Sequence, residues 1–264
     1  MAALLDEGRG MERTRNDSAE NLAYAALGLL IFFALWQLAG KAGVAGSALP
    51  PLSDVVNTLR DPEILPLLMS SAEYTLASAA KGLFFGGTLA VLLAAVMHLL
   101  PPLRPGLDRL AVLVNATPPI AIGPILIVVF SRSQTPAALA GIQVFFIFYV
   151  AASSGLAAAS PALRRVMAGF GASAWKQMVH LEVPAALPHL AGGLKAAVSA
   201  SFLGAILGEW FGAPQGLGLM ILNAMQNFQI RLMWAAVVVA AAMSLTVFLA
   251  AAALEEFVSR RFSR

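Results

Sequence analysis

The chain has 264 residues, of which 59% are hydrophobic and 12% are charged. Soluble domains carry roughly 25% charged residues, and one of this size has no core large enough to hide so much apolar surface. The composition therefore excludes an ordinary soluble protein and predicts an integral membrane protein. The chain contains no cysteine, which excludes disulfides, thiolate metal sites and a cysteine nucleophile.

The polar composition gives no sign of a metal, cofactor or nucleic-acid site. His98, His180 and His189 lack the i, i+4 spacing of a metal-binding helix and are typical of interfacial or surface histidines. The net charge is +3, and the Lys and Arg residues lie between apolar stretches rather than in a basic stripe with interleaved aromatics. We therefore expect no metal, no cofactor and no nucleic-acid partner.

The first 20 residues are polar and contain Arg9, Arg13 and Arg15. No apolar core precedes a small-residue cleavage site there, so a cleaved signal peptide is not expected. We predict a short cytoplasmic tail over 1–20 and a transmembrane domain over 21–264.

Six stretches are apolar enough for a membrane-crossing helix, which needs about 20 residues. Because a backbone in lipid must satisfy its own hydrogen bonds, the expected fold is all-α. Ahead of the second span, Pro62 and Pro66 are expected to interrupt regular helix. The spans are predicted at about 21–40, 73–100, 107–130, 136–159, 185–208 and 232–257.

The distribution of basic residues predicts that both termini are cytoplasmic. With the N-terminus inside, the inner segments hold 11 of the 17 Lys and Arg residues and the outer segments hold four, which is the bias of the positive-inside rule. The inner residues are Arg9, Arg13, Arg15, Arg104, Arg109, Arg164, Arg165, Lys176, Arg260, Arg261 and Arg264; the outer ones are Lys41, Arg60, Arg132 and Arg231.

Two interruptions of the spans are candidates for the lining or gate of a pathway. The third span contains Thr117, Pro118 and Pro119, followed by Pro124, which predicts a kink or an unwound stretch. A pathway lining is favoured there over a packing kink.

The second interruption is the outer loop over about 209–231, which opens with Glu209 and contains Gly216 and Gly218. This composition favours a re-entrant or tightly turned segment. Glu209 is interpreted either as a gate or binding-protein contact or as a solvated loop carboxylate. Lys81, in the second span, is either a functional intramembrane charge or a side chain that snorkels to the interface.

The segment between the fourth and fifth spans, about 160–184, predicts two short helices on the cytoplasmic face. Ser160 followed by Pro161 is a helix start, and Gly169 and Gly171 end that helix. Ser173 caps a second helix, which is expected to end before Pro184. Ala174, Met178 and Leu181 share one face of it. Spacing alone leaves two interpretations: an element that transmits force from a soluble partner, or a helix that lies on lipid.

This segment resembles the signature loop of ABC importer permeases, which reads Glu-Ala-Ala, three residues, Gly, nine residues, Ile, one residue, Leu-Pro. Gly171 matches the glycine, Leu181 the isoleucine, and Val183 with Pro184 the final pair. The run that follows is also similar, and the likeness extends from about residue 73 to the C-terminus. The 208–218 segment resembles the branch that serves nitrate, sulfonate, taurine and pyrimidine-type solutes.

The resemblance implies the fold of a type I ABC importer permease in a bacterial inner membrane. It implies three partners: cytoplasmic ATPase subunits, an extracytoplasmic binding protein and a second permease subunit, as a homodimer. The ATPase-coupling residues carried over are Arg165, Gly171, Ser173, Trp175, Lys176, Met178, Leu181 and Pro184. The chain departs from the pattern at Arg165, which stands where the family has glutamate.

Alternative functions are an ion-coupled secondary transporter or channel and an intramembrane enzyme. The first needs midplane carboxylates or histidines, and the second a nucleophile and base within the spans. Neither pattern is found in the predicted spans. The chain also lacks a Gly-x4-Gly-Lys-Ser/Thr sequence, so we expect no ATP site of its own and no catalytic residue.

Overall fold

The computed structural model describes residues 23–262, and this part of the chain is built from helices and short connections. The predicted tail over 1–20, with Arg9, Arg13 and Arg15, lies outside the described residues, as does Arg264. The helices are α1 (Ala23–Lys41), α2 (Leu52–Leu59), α3 (Ile64–Leu99), α4 (Arg104–Ala116), α5 (Pro119–Val129), α6 (Thr135–Ala157), α7 (Pro161–Gly169), α8 (Ala174–Gln177), α9 (Val183–Glu209), α10 (Leu217–Gln226) and α11 (Ile230–Phe262).

Five of the described helices are long and apolar enough to cross a membrane, or six spans if the bent pair α4 and α5 counts as one. The all-α fold with about six spans is therefore confirmed. The structure places a break in the third span at Thr117 and Pro118, as predicted: α4 ends at Ala116, α5 begins at Pro119, and the two are bent by 102°. At Pro124 there is no break, because α5 continues through it.

Two predicted boundaries are wrong. The second span begins at Ile64 and not near residue 73. Pro66 lies in the first turn of α3, where backbone N–H groups have no acceptor within the helix, so proline there costs no helical hydrogen bond. The second predicted helix of the 160–184 segment does not end before Pro184. It continues through a π-helical stretch, Met178–Glu182, into α9.

The core of the bundle is α6, held between α3 and α9 at two rows of small residues. A Cβ at Gly86 of α3 would lie 2.6 Å from the Cα of Gly141, and one at Gly204 of α9 would lie 2.6 Å from the Cα of Ala140. Both glycines belong to Gly-x-x-x-Gly sequences, with Gly82 and Gly208 as partners. Such rows allow backbones in lipid to approach closely, where van der Waals packing replaces the hydrophobic effect.

The first helix attaches to the bundle at one end. The indole N–H of Trp36 donates to the carbonyl of Pro50 at 3.1 Å, and that of Trp234 donates to Ala48 at 2.9 Å. The two rings lie 5.0 Å apart. The most apolar part of α1 is otherwise exposed, as expected of a helix that faces lipid.

The bundle has two ends that differ in their chemistry. We call one the Glu209 end, where α3, α6 and α11 begin and α9 stops. We call the other the Arg164 end, where α3 stops at Leu99, α6 stops at Ala157, and α7 and α8 lie between α6 and α9.

Candidate functional site

The helix, glycine turn and helix predicted from 160–184 form at the Arg164 end. α7 begins at Pro161 and ends at Gly169, and Gly171 has a φ of 77°. This left-handed conformation favours glycine because it has no Cβ to clash. The Ser173 hydroxyl accepts from the Lys176 N–H at 3.4 Å, as expected of a helix N-cap.

The π-helical stretch explains how the helix passes Pro184. A proline inside an α-helix removes one donor and crowds the carbonyl four residues earlier. Hydrogen bonds over five residues, across Met178–Glu182, widen the turn ahead of it and remove the conflict. The consequence is that the segment starting at Ala174 and the span ending at Glu209 form one continuous helix.

The same segment presents apolar side chains outward at its turn. Phe170 is 88% exposed and Trp175 is 61% exposed, and Leu163 and Val166 are also exposed. Arg165 and Lys176 are exposed beside them. We call this set, Leu163, Arg165, Val166, Phe170, Trp175 and Lys176, the turn surface.

Opposite the turn surface, the segment is anchored to the bundle. Met178 is buried in a cluster with Leu156 and Ala186, and Leu99 and Leu190 pack against the cluster. Leu181 and Pro184 are half-buried. The predicted coupling residues therefore divide: Met178, Leu181 and Pro184 face the membrane helices, whereas Trp175 and Lys176 face outward.

A buried carboxylate that the sequence analysis did not single out lies behind the turn surface. Glu182 is 5% exposed, and its Oε2 lies 2.8 Å from Nε2 of His98 in the last turn of α3. Its Oε1 lies 2.7 Å from Nε of Arg164 on α7. His98 is therefore partly buried and paired with a carboxylate, so the surface alternative for this histidine is wrong, whereas the interfacial alternative stays a prediction. A charged residue in the apolar run Val-His-Leu-Glu-Val was the available signal, because a buried charge requires a partner.

At the opposite end, Glu209 is fully buried, so the interpretation as a solvated loop carboxylate is wrong. Its Oε2 accepts from the Gly218 N–H at 2.6 Å at the start of α10, where helix N–H groups favour an anion. Beside it, the buried hydroxyl of Thr75 accepts from the Leu217 N–H at 2.9 Å. A Cβ at Gly216 would overlap the Glu209 carboxylate, which accounts for that glycine.

The two predicted gate regions meet through α5. After Thr117 and Pro118, α5 leads from Pro119 to Gly123, and the Phe211 ring packs so closely on Gly123 that a Cβ there would overlap it. Phe211 lies in the turn that follows Glu209. The broken span and the Glu209 turn are therefore in direct contact, although the two regions are far apart in the sequence.

A groove of about 680 Å³ runs between α3, α4 and α6 beside the broken span. It is apolar apart from Lys81 and Gln134, and Val114, one turn ahead of Thr117, lies in its wall. Gly82, next to Lys81, packs against Ala137 and Ala140 in the first turns of α6. Lys81 therefore lies at the level of the Glu209 end of α6 and is exposed there.

Comparison with known proteins identifies relatives that are named as transport permeases. The chain is 28% identical over 212 residues to the formylaminopyrimidine transport permease protein ThiX of Halalkalibacterium halodurans, covering 78% of this chain and 84% of that one. It is 23% identical over 211 residues to the putative aliphatic sulfonates transport permease protein SsuC of Bacillus subtilis, covering 79% and 76%.

Among solved structures, the fold is similar to a chain of the inward-facing MetNI methionine ABC transporter. The TM-score is 0.63 at 16% identity, with 75% of this chain and 99% of that chain covered. Residues 82–264 match the model of the family described as "Binding-protein-dependent transport system inner membrane component". The matched region contains the turn surface, Glu182 and Glu209. The chain belongs to this family of ABC importer permeases.

Proposed function

We propose that this chain forms the transmembrane pathway of an ATP-driven importer, with ATPase subunits bound at the turn surface and a binding protein at the Glu209 end. The observation that supports this most is the turn surface itself. Exposed Phe170 and Trp175 project from a segment that is continuous with one span and anchored to others. Exposed aromatics of this kind favour a protein contact, because an apolar patch left in water is costly.

The proposed assembly contains two permease subunits, as a homodimer, in a bacterial inner membrane. Its termini lie in the cytoplasm, on the side of the Arg164 end, as the distribution of Lys and Arg predicts. ATP binding to the partner subunits would bring the two turn surfaces together and switch the pathway between inward-open and outward-open states. The chain itself supplies no ATP site in this proposal.

The proposed cargo is a small solute of the sulfonate, nitrate or taurine type, or a pyrimidine-like compound. The name of SsuC supports the sulfonate class, and the name of ThiX supports the pyrimidine class. Thr117, Pro118 and Pro119, with Glu209, Gly216 and Gly218, are proposed as the elements that open and close the pathway. Contact between α5 and the Glu209 turn supports this, because a movement of one displaces the other.

The test is a detergent pull-down of the tagged chain from its host, followed by an ATPase assay with and without the extracytoplasmic binding protein. We expect an ATPase subunit to co-purify and its activity to rise when the binding protein is added. Gly171→Pro, which removes a donor and imposes a φ of about −65°, and Lys176→Glu should each abolish ATPase association without loss of membrane insertion. Full association of both variants would refute the assignment of the turn surface.

The cargo is tested separately by uptake into proteoliposomes that contain the whole transporter. Labelled alkanesulfonate and a labelled pyrimidine are compared at equal concentration, each with excess unlabelled competitor. ATP-dependent uptake of either assigns the class. ATP-independent uptake driven by an ion gradient would instead favour a secondary transporter.

A further inference from the structure

The carboxylate of Glu182 joins three helices at the Arg164 end. It belongs to the continuous helix that contains α8 and α9, and it pairs with His98 of α3 at 2.8 Å and Arg164 of α7 at 2.7 Å. The Arg164 guanidinium also donates to the Leu156 carbonyl at 2.8 Å, in the last turn of α6. The carbonyls in the last turn of a helix accept no hydrogen bond from within the helix, and the helix dipole stabilises a positively charged group there.

Arg164 makes the polar contacts that position α7. No residue of α7 is buried, and among the described side chains of this helix only Arg164 makes a hydrogen bond or ion pair. Arg164 is therefore the polar link between α6 and α9 and this helix, which carries half of the turn surface.

We propose that Glu182 is a positioning residue that transmits movement of the turn surface to α3 and α9 through its pairs with Arg164 and His98. This inference rests on the proposed function, since it assumes that an ATPase moves the turn surface. The physical reason is stiffness. The Glu182 side chain is 7% exposed, so separation from Arg164 or His98 would leave a buried carboxylate without a partner, which is costly. We therefore expect α7 and the inner end of α3 to move with Glu182 rather than past it.

The charges of Arg164 and Glu182 distinguish this link from apolar packing. The family signature has a glutamate at the position of Arg165, whereas this chain carries two adjacent arginines on α7 and a buried glutamate within the later part of the segment. One arginine points outward on the turn surface and the other inward to Glu182. The inward pair provides a charged link that apolar side chains at the same places would not provide.

The experiment uses the complete transporter in proteoliposomes with its binding protein, and it measures both ATP hydrolysed and solute taken up. The variants are Glu182→Gln, Arg164→Gln and the double variant. Glu255→Gln is the matched control, because Glu255 forms an ion pair with Lys195 at 2.6 Å between α11 and α9, away from α7.

We expect Glu182→Gln and Arg164→Gln to keep at least half of the ATPase rate while solute taken up per ATP falls at least fivefold. In the double variant, the solute taken up per ATP should fall no further than in the more severe single variant, because both substitutions break the same link. Glu255→Gln should keep the wild-type ratio. If Glu182→Gln does not accumulate in the membrane, Arg164→Gln decides, since its helix contributes nothing to the core.

Three outcomes would overturn the inference alone. The first is wild-type ATPase and uptake in both single variants, and the second is an equal fall of ATPase and uptake, which leaves the ratio unchanged and is the sign of a purely structural role. The third is an equal loss of coupling in Glu255→Gln. If the wild-type chain binds no ATPase at all, the proposed function fails as well. The wild-type measurement thus separates the two failures.

Discussion

In the proposed assembly, replacement of Gly171 measures how far ATPase docking depends on the left-handed turn. No atom lies within 4 Å of a Cβ placed on Gly171, so alanine there meets no clash and only the backbone conformation at a φ of 77° is unfavourable. That conformation costs an L-residue about 1–2 kcal/mol. Because α7 buries no residue, the free loop can relax, and binding must restore the turn. Since about 1.4 kcal/mol is tenfold in affinity, Gly171→Ala should weaken ATPase binding roughly 5- to 30-fold.

The assay is titration of the purified ATPase subunit onto the detergent-solubilised chain, with thermal unfolding measured in parallel. Gly169→Ala is the matched control, because Gly169 also has open space around it but lacks the positive φ; its affinity should equal that of the wild type. Gly171→Asn should fall between the two, since asparagine tolerates this conformation better than alanine. Equal affinity for Gly171→Ala and wild type, or an equal loss in Gly169→Ala, would refute the reasoning.

Three further predictions concern the bundle and its orientation. Gly86→Ala should destabilise the chain by about 1–3 kcal/mol through overpacking, because its Cβ would lie 2.6 Å from the Gly141 Cα. Gly28→Ala, which has open space around it, should not destabilise the chain. Equal melting temperatures of the two variants in detergent would contradict the prediction. Thr75→Val should leave a buried backbone donor unpaired, at a cost of about 1–3 kcal/mol, whereas Thr246→Val at an exposed position should be neutral. The check is thermal unfolding together with hydrogen exchange of α10, and unchanged exchange in α10 of Thr75→Val would count against the prediction. A reporter fused after the C-terminal residue should give a cytoplasmic signal, and a periplasmic signal would overturn the proposed topology.

The arrangement at the two ends suggests how the chain would link a cytoplasmic event to the outer face. The continuous helix Ala174–Glu209, which contains α8 and α9, runs from the turn surface to Glu209. At its far end, Glu209 is bonded to the start of α10, and Phe211 contacts α5. A rotation of this helix at the Arg164 end would therefore displace the broken span at the other end. This mechanical path belongs to the proposed function, and the Glu182 variants test its first step.

Features that depend on neighbouring residues in the chain were predictable from the sequence. The spans follow from composition, because lipid solvates apolar side chains and forces the backbone into helices. The break at Thr117 and Pro118 and the turn at Gly171 follow from local backbone chemistry, since proline lacks a donor and glycine tolerates a positive φ. For the same reason the Ser173 cap was found correctly.

Features that depend on contacts between distant segments were decided by the tertiary structure. Glu182 finds His98 and Arg164 only because α3, α7 and α9 meet at one end, and nothing in the local sequence names these partners. Glu209 was interpreted either as a gate or binding-protein contact or as a solvated loop carboxylate, and the second interpretation is wrong because α10 folds back and buries the side chain. Pro184 was expected to stop a helix, and a π-helical turn carried the helix past it. The physical reason is the same for both carboxylates: a local rule fixes the conformation of a residue, whereas burial and charge pairing depend on which helices become neighbours.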